Sequence, residues 1–196
     1  MINRIWLLGA PDPEMAAIES LLRECGEHVE YALDNRGERV TPATAYRCPL
    51  PEVAVGSPVY AVECIDVLPK GWVRIDHHRP GDPGYGRPPA EYLTASSIGQ
   101  VISVLLAVYY HQMPPMALAG TDSASALHWT QLGALAWCSW YPVSDCFIVN
   151  DWVRYTAAAD HCLGAAYRGE CPGVDPDALM RWRAEGRCEM PEGREP

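Results

Sequence analysis

The sequence predicts an α/β fold: a mostly parallel sheet covered by helices, with a helix-rich second half. Three observations carry the prediction. Apolar runs of strand length alternate with helix-spaced segments through residues 1–111, which is the pattern of a parallel, helix-covered sheet. Residues 112–188 carry helical spacing instead. One apolar run, with Trp72, Val73 and Ile75, ends abruptly in Asp76, His77 and His78 and then enters a Pro/Gly-rich loop, residues 79–89. Open α/β sheets build their sites at such strand ends.

Residues 4–8 form a short apolar run, hence the first strand. Residues 13–25 put Met15, Ala16, Ile18, Leu21 and Leu22 at helix spacing, with Pro13 near the first turn and Gly26 at the stop. Residues 29–33 read as a second strand, and 34–38, Asp-Asn-Arg-Gly-Glu, as a turn. Residues 58–64 and 72–75 supply the third and fourth strands. The spacing then predicts a long helix over 94–111, further helices over 124–137 and 151–167, and a short one over 175–185. The polar, Pro/Gly-containing tail, 189–196, is expected to be frayed. No repeat or linker interrupts the chain, so residues 1–188 are expected to form one domain, with a Rossmann-like half over 1–111 and a helical half over 112–188.

The 196 residues suffice for one domain with a real core. Apolar content of 48% with 20% charged residues reads as globular. The net charge of −10 argues against binding duplex nucleic acid, which needs a basic surface. It leaves room for a small phosphate-bearing substrate, because a bound cation reverses the local sign. The apolar start is too short for a signal peptide and lacks a cleavage region. No run reaches the ~18–20 apolar residues that span a membrane, and the best candidate covers 98–110. The eight cysteines form no CxxC pair and are expected to be reduced. Together these features predict a cytoplasmic protein without a membrane partner.

Four places hold candidate ligands. Asp12 and Glu14 lie where the first strand hands over to the first helix; locally they read first as an N-cap and a first-turn acid. Glu63 ends the third strand and Asp66 follows it, and a carboxylate there is costly unless it is paired or ligating. Asp76, His77 and His78 put a carboxylate and two imidazoles side by side, a donor set suited to a divalent metal. Asp160 and His161 sit among small residues of a helix and point about 100° apart, so both cannot face the core equally. Thr94, Ser96 and Ser97 open the long helix as natural caps, and exposed amides at such a start also bind phosphate oxygens.

These residues resemble the DHH phosphoesterase superfamily. The resemblance covers roughly residues 4–110 and consists of Asp12 with Glu14, then Glu63, then Asp76-His77-His78 followed by Ser96 and Ser97, then a later acid, Asp160 or Asp151. It implies a metal-dependent phosphoesterase that hydrolyses a phosphodiester or phosphoanhydride bond in a small nucleotide or short oligonucleotide. It implies that Glu14, Glu63 (or Asp66), His77 and Asp160 hold one ion, and Asp12 and Glu63 a second. Asp76 and His78 would be catalytic, with His78, Ser96, Ser97 and Arg79 at the substrate phosphate. Carboxylates with imidazole suit Mn²⁺, in one or two ions, better than Mg²⁺.

The sequence departs from that pattern in places. Leu8 stands where the family carries a histidine, and Glu14 where it carries an aspartate. The 196 residues are expected to leave no room for the family's usual C-terminal substrate domain. Two other readings therefore stay open. One is a nucleotide-sequestering protein on the same fold. The other is an interaction protein or homodimer whose surface uses Trp137, Trp140 and Tyr141 among the seven tryptophans. Tyr46 and Tyr85 are candidates to stack on a base, or are ordinary core or surface residues. Arg154, Arg168, Arg181 and Arg183 are expected on helix surfaces.

Overall fold

A computed structural model describes residues 4–53, 56–112 and 151–188. Four strands form one sheet: β1 (Ile5–Leu8), β2 (His28–Tyr31), β3 (Val59–Val62) and β4 (Val73–Ile75). The order is β2-β1-β3-β4 and every pair is parallel. The helices are α1 (Pro13–Glu24), α2 (Tyr92–Ala95), α3 (Ser97–Gln112), α4 (Asp151–Tyr167) and α5 (Pro176–Cys188). The molecule is thus an α/β protein whose helices gather in its second half. The expected helix over 124–137, the residues Trp137, Trp140 and Tyr141, and the tail over 189–196 lie outside the described residues.

Alternation along the strands divides the core in two. Trp6, Leu8, Val62 and Ile75 face the helices, where they meet Met15, Ile18 and Leu22 of α1, Ile98 and Val101 of α3, and Val153 and Ala157 of α4. Ile5, Leu7, Val59 and Ala61 face the other way, onto Ala32, Val40, Ala45 and Ile65. That second face is covered by the segment between β2 and β3, whose only helical piece among the described residues is a 3₁₀ turn at Ala45–Arg47. Its prolines, Pro42, Pro49, Pro51 and Pro58, disfavour a longer helix there.

Helix α1 is specified at both ends. Asp12 Oδ1 accepts the Met15 amide at 2.7 Å and Pro13 opens the first turn. At the other end Gly26 has φ +70°, with Gly26 N–H to Arg23 O and Glu27 N–H to Leu22 O. This glycine stop is the Schellman arrangement.

The long helix read over 94–111 is in fact two. Ser96 is extended (φ −61°, ψ 156°), and the helical segments Pro89–Ala95 and Ser97–Ala107 meet there at 52°. The bend is local chemistry: Ser96 Oγ accepts the Gly99 amide and donates to Leu93 O, so it caps a new helix. Among the described residues no single helix is long and apolar enough to cross a membrane. Cys25, Cys48, Cys64, Cys162 and Cys171 are free thiols.

Candidate metal centre

The strand order reverses between β1 and β3, and the parallel strands all present their C-terminal ends on one side. Such a switch point leaves a crevice beyond the strand ends. Gly9 brings its walls together. A Cβ at Gly9 would lie 2.4 Å from Glu63 O and 2.9 Å from Val62 O, so only glycine lets the exit of β1 touch the exit of β3. Across that contact Asp12 and Glu14 come beside Glu63.

Glu63 reaches the crevice through an unusual backbone. Its φ is 50°, and Ile65 two residues on has φ 58°. Left-handed conformations are uncommon outside glycine, and for β-branched Ile65 especially so. They persist where neighbours over-determine them. Here the amides of Glu63, Ile65 and Asp66 are tied to Ile75 O, Ala45 O and Tyr46 O.

Asp76, at the end of β4, is fully buried and works as a hub. Tyr46 OH donates to both its oxygens at 3.1 and 2.9 Å, and the amides of His77 and His78 donate to Oδ1 at 2.8 and 3.1 Å. His78 Nδ1 lies 3.1 Å from the same oxygen, and Arg74 is 3.5 Å from Oδ2. Gln100 bridges the Asp76 backbone, accepting its N–H and donating to its carbonyl. Burial raises the Asp76 pKa, but the bonds from His78 and Tyr46 outweigh it and hold the carboxyl below its usual range. Asp76 therefore positions the two histidines that follow it.

His77 Nε2 is the centre of the acidic cluster. It lies 2.8 Å from Asp160 Oδ2, 3.4 Å from Glu14 Oε2 and 3.6 Å from Glu63 Oε1. Yet Glu14 Oε2, Glu63 Oε1 and His77 Nε2 are buried and make no hydrogen bond. The Asp160 oxygen approaches as an ion-pair partner. Three orphaned buried polar atoms at one point are rare in a native interior. Their separations suit a shared ion: donors bound at about 2.1 Å are about 3.0 Å apart at right angles and about 3.4 Å apart at tetrahedral angles. Glu63, His77, His78 and Asp160 each offer one ligand atom, all within 4.8 Å of one another. Glu14 adds its free oxygen beside His77, while its other oxygen accepts the Ile98 amide at 3.0 Å, in the first turn of α3.

The electrostatics describe a cluster short of positive charge. Burial pushes the Glu14 carboxyl well above its ordinary value; His77 opposes this, and the Glu63 and Asp160 charges add to it. Asp12 is pushed up to about 6, chiefly by burial, with its Met15 bond opposing and Glu63 and Asp160 adding. For His77 burial acts downward, but Asp160, Glu14 and Glu63 overcome it and lift the ring to about 12. Asp160, though raised by burial, is held low by His77.

The remaining predicted residues are placed as follows. Asp12 caps α1 and is half-buried. Asp66 is exposed and paired with Arg79 at 2.7 Å, and Arg79 lies over the Tyr46 ring, its guanidinium carbon 3.4 Å from the centroid. This carboxylate is therefore spent on Arg79, and Glu63 is the acid that enters the cluster. Tyr46 is taken up by Asp76 and Arg79, while Tyr85 is exposed. Ser96 and Ser97 are fully buried; Ser96 is used as a cap, and Ser97 Oγ has no hydrogen-bond partner. Both serines face the interior, away from any open surface where a phosphate would dock. Asp151 is exposed at the start of α4, facing Arg154, so Asp160 is the α4 acid in the cluster. Leu8 is fully buried in the helix-side core.

His161, Tyr46, Arg74 and Gln100 contribute in ways that reading ligands alone does not reveal. His161 Nδ1 lies 3.3 Å from His77 Nδ1, and its Nε2 lies 3.2 Å from Arg87 O. Asp160 and His161 thus grip opposite edges of one imidazole. Their divergence on the helix, which the sequence shows, makes this possible; immediately after them α4 breaks at Cys162 (φ −155°, ψ 46°).

No family model, curated protein or solved structure matches the chain.

Proposed function

We propose that the chain is a metal-dependent phosphoesterase that hydrolyses a phosphodiester or phosphoanhydride bond in a small nucleotide or short oligonucleotide. The observation that carries the metal half of this reading is the meeting of Glu14 Oε2, Glu63 Oε1 and His77 Nε2, buried and without hydrogen bonds, beside Asp160. The phosphate half rests on the order of these residues along the chain, which resembles the DHH phosphoesterases.

Glu14, Glu63, His77 and Asp160 would hold one ion, Mn²⁺ by donor type. Asp12 and Glu63 would be left for a second, with Leu8 offering no donor. A bound divalent cation supplies positive charge to phosphoryl oxygens and lowers the pKa of water. The chain's own residues do the rest. His78 stands at the rim, its side chain 44% exposed, with Nδ1 held by Asp76. Its Nε2 is then the atom that carries a proton to a leaving oxygen. Among the described residues Arg74, Arg79 and Arg87 are each paired with a carboxylate. An anionic substrate therefore depends on the cation for its charge balance.

Hydrolysis of bis-p-nitrophenyl phosphate, with and without added Mn²⁺, tests the reading. Turnover should require the ion and should fall at least about 100-fold in His77→Ala, as loss of a metal ligand or its support typically costs 10–100-fold or more. Equal turnover in the wild type and this variant would end it. The nucleotide-sequestering alternative is favoured by one observation, the buried leucine at position 8. It predicts that Mn²⁺ and nucleotide raise the melting temperature without turnover.

A further inference from the structure

We infer that His161 is a positioning residue, which fixes the tautomer and orientation of His77 through a hydrogen-bonded relay running from the Arg87 carbonyl. This rests on the metal reading above for its consequence, but the relay itself is a property of the chain alone.

The relay follows from what each atom is able to do. Arg87 O only accepts, so His161 Nε2, 3.2 Å away, carries a hydrogen. The facing pair His161 Nδ1 and His77 Nδ1, 3.3 Å apart, has room for one hydrogen between them. His77 turns Nε2 toward Glu14, Glu63 and Asp160, and an imidazole that offers Nε2 as a ligand keeps its hydrogen on Nδ1. His161, whose Nε2–H is given to Arg87 O, meets it with a bare Nδ1 that accepts from His77 Nδ1–H. His77 is then committed to offer Nε2 to the acidic cluster. A metal-ligating histidine usually needs such a partner on its other nitrogen, and loss of the partner weakens binding.

The elements around the relay hold it in place. The Arg87 carbonyl precedes Pro88 and Pro89, whose φ angles are fixed. The loop that carries it is seated on the site by Gly84, whose amide bonds Asp76 O. A Cβ at Gly84 would lie 1.9 Å from Ala95 O and 2.7 Å from His77 Cβ. The loop after β4, the His77 ring and the end of α4's first segment are thereby tied together by one imidazole.

Long-range proton–nitrogen spectra of the imidazoles in the metal-free full chain test the relay. His161 should show hydrogen on Nε2 and a bare Nδ1 at neutral pH. A hydrogen on His161 Nδ1, whether in the other neutral tautomer or in an imidazolium, would overturn the proposal. Calorimetric titration with Zn²⁺, a diamagnetic stand-in, supplies the second arm. His161→Ala should weaken Zn²⁺ binding by about 10–100-fold, with circular dichroism unchanged. His161→Gln should recover most of that loss, since an amide oxygen also accepts from His77 Nδ1–H, whereas His161→Phe should not. Unaltered Zn²⁺ affinity in His161→Ala would overturn the positioning role. If the wild type binds no Zn²⁺, the metal reading fails, and the tautomer spectra still decide the relay.

Discussion

At the scale of single residues, the candidate centre is a place where local stability is given up. Glu63 illustrates this. It is 6% exposed, one of its oxygens lacks a hydrogen bond, and its backbone sits at φ 50°. Each feature is unfavourable in a metal-free protein. Glu63→Gly removes all three, since glycine adopts positive φ without a Cβ penalty. In thermal melts without metal, this variant should be at least as stable as the wild type, by up to about 1 kcal/mol. The same variant should lose any stabilisation by Mn²⁺. A large destabilisation in the absence of metal would show that the Glu63 side chain is instead part of the structural framework. Strain of this kind was not legible in the sequence. Glu63 and the acids around it could be picked out as costly residues at strand ends, but a left-handed φ at a glutamate follows from tertiary ties to Ala45, Tyr46 and Ile75.

At the scale of elements, short strands and capped helices deliver the donors. Asp12 and Gly26 set the limits of α1, and both signals can be read directly from the sequence. So can the strand endings at Leu8, Val62 and Ile75, to within a residue or two. The break at Ser96 was legible only in part: its hydroxyl marks it as a cap, but the separate helix Tyr92–Ala95 just before it carries no spacing of its own in the sequence. The role of His161 was not legible for a related reason: which of Asp160 and His161 faces the site depends on how α4 is rotated, and both turn out to face His77.

Two predictions belong to this scale. Gly84→Ala forces a Cβ to within 1.9 Å of a backbone oxygen in α2. The loop must shift, costing roughly 1–3 kcal/mol in denaturant unfolding, and metal affinity should fall with it, because the same Cβ presses on His77. Wild-type stability in that variant would mean that the loop is not seated on α2. The second concerns the tie between α1 and β2, where Glu19 accepts from Tyr31 OH and pairs with Arg23. Burial alone would raise the Glu19 carboxyl, but Tyr31 and Arg23 hold it below its ordinary value. A depressed carboxyl contributes stability above its unfolded pKa, about 4.3, and that contribution disappears as pH falls through the lower folded value. Glu19→Gln should therefore cost under about 1 kcal/mol at pH 7, with the difference from wild type vanishing in acid. A difference that grows on acidification would contradict the sign.

On the scale of the whole molecule, the donors come from separate parts of the fold: Glu14 from α1, Glu63 from the end of β3, His77 from the end of β4 and Asp160 from α4. They span residues 14 to 160, so in an unfolded chain they do not meet, and an ion that binds them binds the folded state almost exclusively. Such a ligand stabilises by RT ln(1 + [L]/Kd), about 2.7 kcal/mol at a hundredfold excess over Kd. For a chain of this size that corresponds to a rise of about 5–10 °C in melting temperature. The rise should be reversed by EDTA. It should be absent in both Glu14→Ala and Asp160→Asn, which remove proposed ligands from two different helices. This pairing separates a metal centre from an ordinary salt-bridge cluster. In a salt-bridge cluster each substitution shifts the metal-free melting temperature and leaves the small, non-specific response to divalent ions intact. In a metal centre the response to Mn²⁺ disappears, whatever the loss of the Ile98 or His77 contact does to the metal-free melting temperature. A Mn²⁺-dependent rise that survives both substitutions would place the ion elsewhere on the molecule and remove the physical basis of the proposed phosphoesterase.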